Sequence, residues 1–544
     1  MTISDILLIA ALAVWVLAWW ARRLPGRPAI LVGSAVAALA AGAWGVSDNR
    51  WQDAVGCGVA VVLLAVLLIN RLRKAPPRTG APLASGTIFN LLALAAAGAI
   101  FMFPVWPLPK PSGPYPVGVR SFEVTDKSRL GVFAAGPGKP RRLLVRVWYP
   151  AGDVRGLKPR PYFTDREAAV TGRSVGGLLG FPPLLTYLTH VRTNSFENAP
   201  LLAGASHLPV VIYSHGYTSY LSQNTVLMEH LASHGYVVFS LQHTYDSAAT
   251  LFPNGDVAPD DPGLRAAGGQ ADDDPQYRAQ VQALSGATFD QRLDGYLRLR
   301  TGARILKDRI TRSGPIWLAD RIFLHDQLQK GAVPEPIRQI AAAGNLDHVG
   351  EIGMSFGGAT TGSLCIVDRR CAAGVNLDGG DFPFQAFDAE TPVPFLMFHS
   401  DVANLYREMR VTPPAKPRSF TEFSYETFAT AGTRADIYRT LLKGSRHLGL
   451  SDASLFMRRP MRDPLYGTTP TRVLIGAQND FVLGFFDHHL RGLANGFPQA
   501  QLTAYRDWVV PLSSSDVRAW WNAKPQAERE AIEQRIQALR PEAP

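Results

Sequence analysis

Cysteine is scarce in this chain, with only three among its 544 residues. Cys57 lies in an apolar run, where we expect it to pack as a free thiol. Cys365 and Cys371 flank a predicted turn and could form a disulfide outside the cytoplasm, but we expect two buried thiols. The chain also lacks a glycine-rich phosphate loop and a dinucleotide-binding fingerprint, so we expect no cofactor.

Positive charge is not arranged in a form that binds nucleic acid. The formal net charge is +10, but seven of the basic residues lie in two short loops near the N-terminus. No basic run is interleaved with aromatic residues, which argues against a nucleic-acid partner.

A metal-ligand set is also missing. His230 and His234 are four residues apart on a predicted helix, a spacing that can bind zinc. Glu229 is not placed for the zinc-protease motif, and no third ligand accompanies the pair. We therefore expect no metal and an ordinary helix surface at this position.

The strongest positive signal is the segment Gly353-Met354-Ser355-Phe356-Gly357-Gly358. A short β-branched run, 348–352, precedes it, and residues 359–367 can form a helix after it. A strand, a Gly-x-Ser-x-Gly turn and a helix form a nucleophile elbow, in which glycines leave room for a tight turn that presents the serine. A second match around Ser174 has no strand before it, and we interpret it as a glycine-rich loop.

A nucleophilic serine needs a base and a carboxylate that orients the base. In the elbow fold these follow the serine in the order acid, then histidine. Asp378 and Asp401 each end a strand-like run, so the residues alone leave both open as the acid. His447 lies on a glycine-flanked loop after a possible strand and is the predicted base. The later pair, His488 and His489, is predicted to be surface or packing residues.

The oxyanion of an acyl-transfer reaction also needs hydrogen-bond donors. A buried-strand pattern, 208–213, runs into Ser214-His215-Gly216-Tyr217. Backbone N–H groups just after this His-Gly turn can face the nucleophile, and the N–H of Phe356 is the expected second donor. His215 precedes the serine, so we interpret it as a turn residue that holds the loop and not as the base.

A series of separated motifs runs in order between Ser112 and Leu490: 113–118, 146–150, 213–216, 230–236, Gln242-His243, 246–248, 353–359, Leu377-Asp378, Phe382-Pro383, Gly444-Ser445 and His447. These motifs resemble those of the plasma-type (group VII) platelet-activating factor acetylhydrolases and their bacterial relatives, a family of serine-dependent α/β-hydrolases. The resemblance implies Ser355 as nucleophile, His447 as base, Asp378 rather than Asp401 as acid, and oxyanion donors at the N–H of Tyr217 and Phe356.

Two departures from the family bear on substrate choice. Gly379-Gly380-Asp381 stands where the mammalian enzymes have a bulky residue soon after the catalytic aspartate. Met354 replaces a histidine often found before the serine. Neither change removes a catalytic group. The loss of the bulky side chain after the aspartate could leave room for an acyl chain longer than acetyl.

Four apolar runs occupy the first hundred residues: 3–20, 29–46, 54–69 and 88–103. Each is near the length that crosses a bilayer, the last two at the short end. Tryptophans near the run ends resemble an interfacial belt: Trp15, Trp19, Trp20, Trp44, Trp51 and Trp106. Basic residues fill the first and third loops: Arg22, Arg23, Arg27, Arg71, Arg73, Lys74 and Arg78. The positive-inside rule therefore places the N-terminus and everything after the fourth run outside the cytoplasm.

The predicted organisation is an α/β-hydrolase fold with a helical insertion, preceded by an all-α transmembrane region of four helices. Its parts are a membrane region at 1–106, a proline-rich linker at 107–116, the hydrolase at 117–512, and a C-terminal helix and tail at 513–544. The insertion opens with a polar loop, 253–274, and continues as helix, for example 293–310. It could cover the pocket or form a packing layer.

The expected protein is a multi-pass enzyme of the cell membrane, with its catalytic domain on the extracytoplasmic side. By resemblance, it is a serine ester hydrolase that cleaves short or oxidised acyl chains from phospholipids. One alternative is a general carboxylesterase, such as a polyester or dienelactone-type hydrolase. The other is a catalytically silent membrane sensor or scaffold, against which the intact Ser355, Asp378 and His447 argue.

Overall fold

The computed structural model describes residues 1–73, 81–132, 138–261, 282–302, 304–380, 386–413 and 418–539, together with 263, 275 and 279. Lys74, Arg78 and Asp381, with most of 262–274 from the predicted polar loop, lie outside the described residues. The chain forms two compact units. The helical unit contains 1–108, 161–193 and 455–462, and the sheet unit contains 109–160, 194–454 and 463–544.

Four long apolar helices begin the helical unit: α1 (Ile3–Trp20), α2 (Arg27–Ser47), α3 (Asp53–Arg73) and α4 (Ala81–Met102). Thr2 caps α1, accepting a hydrogen bond from the Asp5 N–H. Each helix is long and apolar enough to cross a membrane, over spans of 18, 21, 20 and 19 residues. The prediction of four apolar helices is confirmed, and the two short runs gain length from their flanks.

The helices pack through small and aromatic side chains. Trp15 is fully buried, stacks on Trp19 at a centroid distance of 5.2 Å, and meets the edge of Phe89 at 4.7 Å. The expectation of an interfacial belt is therefore wrong for Trp15, because a ring on the inner face of α1 fills the bundle core. Trp44 and Trp106 are exposed, as such a belt requires.

Three parts of the chain meet at one end of the bundle. Arg50 donates to the Asp5 carboxylate at 2.9 Å and to the Phe103 carbonyl oxygen at 2.9 Å. The start of α1, the turn between α2 and α3, and the end of α4 therefore lie at the same end. This arrangement requires the four helices to run alternately up and down.

Segments 161–193 and 455–462 complete the helical unit. They contain α5 (Asp165–Glu167), α6 (Arg173–Leu178) and a short 3₁₀ turn (Thr186–His190). Trp51 donates to the Leu184 carbonyl oxygen at 3.3 Å, and Tyr187 donates to that of Phe456 at 2.5 Å. Ser174 lies inside α6, so the expectation of a loop there is wrong, although no strand precedes it.

An eleven-stranded sheet organises the second unit, in the order β13-β12-β11-β10-β9-β5-β6-β2-β1-β4-β3. Strands β6, β5, β9, β10, β11 and β12 are parallel neighbours, whereas β2 and β13 run antiparallel to theirs. Its eleven strands are β1 (Val117–Leu130), β2 (Pro140–Pro150), β3 (Pro159–Pro161), β4 (Arg192–Glu197), β5 (Leu208–Ser214), β6 (Val237–Gln242), β9 (Gly344–Met354), β10 (Cys371–Leu377), β11 (Phe395–His399), β12 (Ile437–Leu442) and β13 (Val509–Pro511). The other two, β7 (Thr250–Leu251) and β8 (Val257–Ala258), pair with each other in a separate two-stranded sheet.

Helices pack on both faces of this sheet. The described helices from residue 225 onward are α7 (Thr225–Ser233), α8 (Phe289–Gly302), α9 (Arg304–Gln329), α10 (Glu335–Ala342), α11 (Phe356–Val367), α12 (Val402–Glu408), α13 (Arg462–Tyr466), α14 (Thr471–His489), α15 (Gln499–Ala504), α16 (Ser515–Asn522) and α17 (Gln526–Gln537). One core contains Phe481 and Phe485 of α14 against Val375 and Leu396, and the opposite core contains Leu324 and other residues of α9. The buried strands read as continuous apolar runs because both sheet faces are covered.

The strands predicted from the sequence are present, and three further local expectations are wrong. Cys365 and Cys371 form a disulfide, with Cα atoms 5.1 Å apart, because the turn between α11 and β10 brings them together. His230 is buried and not on an ordinary helix surface, since α7 packs between the sheet and α14. The single C-terminal helix expected within 513–544 is divided into α16 and α17 at Pro525, which lacks an N–H.

Candidate active site

Ser355 lies between the end of β9 and the start of α11, in a strained backbone conformation with φ 55° and ψ −120°. The surrounding glycines make this turn possible. A Cβ on Gly353 would lie 2.2 Å from the Gly357 carbonyl carbon, and one on Gly357 would lie 2.2 Å from the Ser214 carbonyl oxygen. The turn therefore presents the Ser355 side chain at the carboxyl edge of the sheet, as the elbow pattern predicted.

His447 lies in the loop after β12 and is half-buried. Its Nε2 is 2.9 Å from Ser355 Oγ, and its Nδ1 is 2.7 Å from Asp378 Oδ2. A carboxylate at Nδ1 fixes the proton on that nitrogen and leaves Nε2 able to accept the serine proton. Burial alone would lower the pKa of His447, but the hydrogen bond and charge of Asp378 raise it above the usual value.

Asp378 follows β10 with a positive φ of 58° and is buried. Its carboxylate accepts hydrogen bonds from the N–H and Oγ of Ser400, at 2.8 and 2.6 Å. His399 Nδ1 lies 3.8 Å from Asp378 Oδ1. Although burial opposes ionisation, interactions with His399 and His447 hold the pKa of Asp378 well below its usual range. The carboxylate is therefore charged at neutral pH.

Asp401, the other candidate acid, makes different contacts. Its carboxylate caps α12 by accepting from the Ala403 N–H at 3.1 Å, and it accepts from the Gly444 N–H at 2.8 Å. Asp401 thus fixes the loop that carries His447, while Asp378 holds the imidazole itself. His488 and His489 lie at the end of α14, where His489 contacts the Tyr438 hydroxyl at 3.2 Å.

The loop after β5 lies against the elbow. A Cβ on Gly216 would be 3.4 Å from Ser355 Cβ, and the rings of Tyr217 and Phe356 are 5.2 Å apart. His215 is fully buried, and its Nδ1 donates to the Gly216 carbonyl oxygen at 2.7 Å. Burial lowers the pKa of His215 to about 3, so the ring is neutral and supports the loop. The loop that carries Tyr217 is thereby held against Ser355 at Gly216.

The structure therefore brings together every residue of the predicted site: Ser355, Asp378, His447, Tyr217 and Phe356. Sequence reasoning missed the supporting role of His399 and Ser400, although both directly precede Asp401 at a strand end. Among the described residues, no cluster of three or more His, Cys, Asp or Glu side chains is placed to hold a metal ion.

The mostly parallel sheet with its antiparallel second strand, and the elbow between β9 and α11, define an α/β-hydrolase fold. The family model for platelet-activating factor acetylhydrolase, isoform II, matches residues 102–262. The chain is 25% identical over 308 residues to the platelet-activating factor acetylhydrolase of Cavia porcellus, covering 54% of this chain and 60% of that one. It is 24% identical over 289 residues to a probable 1-alkyl-2-acetylglycerophosphocholine esterase of Arthroderma benhamiae, covering 50% and 59%.

The acetylhydrolase of Canis lupus familiaris is 23% identical over 412 residues, covering 72% of this chain and 79% of that one. The chain thus spans about 60% of the length of the first two relatives and more of the third. A solved ferulic acid esterase from Streptomyces cinnamoneus has 21% identity and a TM-score of 0.49, covering 75% of this chain and 100% of that one. The predicted resemblance to the platelet-activating factor acetylhydrolases is confirmed.

Proposed function

We propose that this protein is a membrane-anchored serine hydrolase of lipid carboxylic esters. The observation that carries the proposal is the continuous hydrogen-bonded series from Ser355 Oγ through the His447 imidazole to the Asp378 carboxylate, at 2.9 and 2.7 Å. The strained backbone at Ser355 and the adjacent loop at Tyr217 support the same reaction class.

In the proposed reaction, Ser355 Oγ attacks the acyl carbonyl carbon while His447 Nε2 takes the serine proton. Charge that develops on the carbonyl oxygen is stabilised by the N–H groups of Tyr217 and Phe356. The tetrahedral intermediate expels the alcohol, which receives the proton from His447. Water, activated by the same imidazole, then attacks the acyl-enzyme, releases the fatty acid and restores Ser355.

The substrate is proposed to be a phospholipid with a short or oxidised acyl chain. The names of the relatives support this class, since two are platelet-activating factor acetylhydrolases and one is a probable 1-alkyl-2-acetylglycerophosphocholine esterase. Gly380 follows the acid closely and leaves no side chain at its position, whereas Gly379 is closed against the elbow, since a Cβ there would lie 2.3 Å from the Ser355 carbonyl oxygen. An acyl chain longer than acetyl is therefore within the proposed range.

The catalytic unit is proposed to face the extracytoplasmic side of the membrane. The basic residues Arg22, Arg23 and Arg27 follow α1 at the end of the bundle opposite to Arg50 and Phe103. The positive-inside rule assigns that basic end to the cytoplasm. The disulfide between Cys365 and Cys371 supports the same side, because disulfides persist in oxidising compartments.

The test uses the full-length protein in lipid nanodiscs and a fluorophosphonate that labels activated serines. We expect labelling of the wild-type protein and of Ser174→Ala, and none of Ser355→Ala. A panel of phosphatidylcholines with acetyl, short oxidised and long acyl chains, together with simple esters, then measures acyl preference. Labelling of Ser355→Ala would overturn the proposal, and a preference for simple esters over every phospholipid would favour a general carboxylesterase.

A further inference from the structure

The buried face of α9 carries charged groups where packing alone requires only apolar ones. Trp317, Asp320, Arg321, Leu324 and Leu328 follow the helical spacing i, i+3, i+4, i+7 and i+11, and all are buried. Leu324 and Leu328 pack against the core of the sheet. A buried acid and base side by side are costly to desolvate unless each is paired. The partners of Asp320 connect it to the end of β5, and the partners of Arg321 lie on β9 and α11.

Asp320 is connected through His243 to the end of β5 and the loop that follows it. Its carboxylate accepts from Arg141 through Nε and Nη2, at 2.7 and 2.6 Å, and from His243 Nδ1 at 2.9 Å. The proton on Nδ1 leaves His243 Nε2 to accept from Ser214 Oγ at 2.8 Å. The His243 N–H also donates to His215 Nε2 at 3.3 Å. The hydrogen bonds that begin at Asp320 therefore end at Ser214 and His215, which directly precede Gly216-Tyr217.

Arg321 reaches the elbow from the other side. Its guanidinium pairs with the Glu351 carboxylate, four residues before Ser355 on β9. The same group donates to the Gly357 carbonyl oxygen at 3.2 Å and to Thr361 Oγ1 at 2.8 Å, both on α11. Arg321 thus fixes the strand that enters the elbow and the helix that leaves it.

Trp317 lies one turn before these two residues, and its ring packs beside Tyr217 of the loop after β5 and Phe356 of the elbow. Its ring stacks on His243 at a centroid distance of 3.8 Å and meets Phe356 edge-on at 4.8 Å. The Tyr217 ring lies 6.1 Å away. Trp317 Nε1 donates to Asp246 Oδ2 at 2.8 Å, which fixes the plane of the indole. One rigid ring therefore packs beside the side chains of both expected oxyanion donors, whose own rings are 5.2 Å apart.

We infer that α9 is a positioning helix, which holds the N–H groups of Tyr217 and Phe356 at a fixed separation through Trp317, Asp320 and Arg321. The inference rests on the proposed function and deepens it, because an oxyanion hole needs two donors from different loops at one spacing. None of the three residues needs to touch the substrate. The helical insertion is thus a support for the active site and not only a packing layer.

The first test substitutes each charged residue conservatively in the full-length protein. We expect Asp320→Asn and Arg321→Lys to lower kcat roughly 10- to 100-fold with little change in KM, since a misplacement of about 1 Å costs about 100-fold. Lysine keeps the charge at 321 but cannot bridge Glu351, Gly357 and Thr361. The matched control is Arg292→Lys on α8, which alters a buried ion pair between Arg292 and Glu422. We expect its kcat to stay within about threefold of the wild-type value.

The second measurement separates positioning from general destabilisation. A trifluoromethyl ketone adds to the active serine as a tetrahedral oxyanion, so its affinity reports the oxyanion hole. We expect its inhibition constant to rise in parallel with the loss of kcat/KM in Asp320→Asn and Arg321→Lys. Ser214→Ala removes the hydrogen bond to His243 Nε2, and Trp317→Phe removes the hydrogen bond to Asp246 Oδ2 and shortens the ring, while neither variant replaces a charged side chain. We expect the same parallel change in these variants, whether or not the charged-residue variants fold.

Two outcomes are kept distinct by this design. If wild type is neither labelled by fluorophosphonate nor active on any ester, the proposed function fails. If wild type is active while Ser214→Ala and Trp317→Phe keep wild-type kcat and inhibitor affinity, the positioning role of α9 is wrong and the proposed function stands. A loss of kcat without weaker inhibitor binding would also overturn the positioning role.

Discussion

At the scale of single residues, the two strand-end aspartates are distinguished by what they contact. Asp378 is hydrogen-bonded to His447 Nδ1, whereas Asp401 caps α12 and accepts from Gly444. We expect Asp378→Asn to lower kcat by about four orders of magnitude, because the imidazole loses the group that fixes its tautomer. Turnover of a short-chain ester by the purified protein measures the loss.

Asp401→Asn is the matched control, since it is isosteric and lies near the same histidine loop. We expect it to reduce kcat much less and to act mainly by loosening the loop from Gly444 to His447. A larger loss in Asp401→Asn than in Asp378→Asn would transfer the acid to the end of β11.

The charge state of His447 predicts a pH dependence. The imidazole accepts a proton from Ser355 only when it is neutral, and Asp378, with a smaller effect from Glu408, raises its pKa. Activity should therefore increase as pH rises through a value above the ordinary histidine pKa of about 6.5. The pH profile of kcat/KM for the free enzyme measures this limb.

Asp378→Asn provides the comparison for that profile. Without the carboxylate, the residual activity should keep its acid limb at lower pH, because the imidazolium loses its stabilising charge. An acid limb at the same pH in both proteins would mean that a group other than His447 controls it.

At the scale of elements, the elbow depends on backbone contact between β9 and α11. A Cβ at Gly353 would lie 2.2 and 2.3 Å from the Gly357 carbonyl carbon and oxygen, neither of which can move independently. We expect Gly353→Ala to destabilise the protein by about 3 kcal/mol, at the upper end for overpacking, and to abolish fluorophosphonate labelling. Thermal unfolding in detergent and labelling of Ser355 check both effects.

Gly152→Ala is the control for this substitution. A Cβ at Gly152 would meet its nearest atom, the Leu201 carbonyl oxygen, at an ordinary 3.5 Å. We expect little change in unfolding temperature or labelling. Equal tolerance of alanine at both positions would contradict the close approach at the elbow.

At the scale of the whole molecule, the alternating helices make a topological prediction. The N-terminus, the turn that holds Arg50 and the end of α4 lie at one end of the bundle. A reporter fused after Pro116 should be active only when that position is extracytoplasmic, and protease added to spheroplasts should digest the sheet unit. A cytoplasm-active reporter with a protected sheet unit would place the enzyme on the inner leaflet.

Patterns of local order were enough to predict much of this protein. Four apolar runs predict the four helices of the bundle, because span length depends only on consecutive residues. The parallel strands are also visible as short apolar runs. Around Ser355, the strand, glycines and helix follow one another directly, so the elbow is a property of a continuous segment. His447 was predicted for a related reason, its position on a glycine-flanked loop after a strand.

Contacts between distant segments were decided only by the tertiary structure. The residues alone did not choose between Asp378 and Asp401, since either strand end can reach the sheet edge, and only packing shows which carboxylate contacts His447. The disulfide at Cys365 was missed because its distance depends on how the turn folds. The contacts of Asp320 and Arg321 join α9 to residues between 30 and 191 positions away, and no local sequence period reveals such pairs.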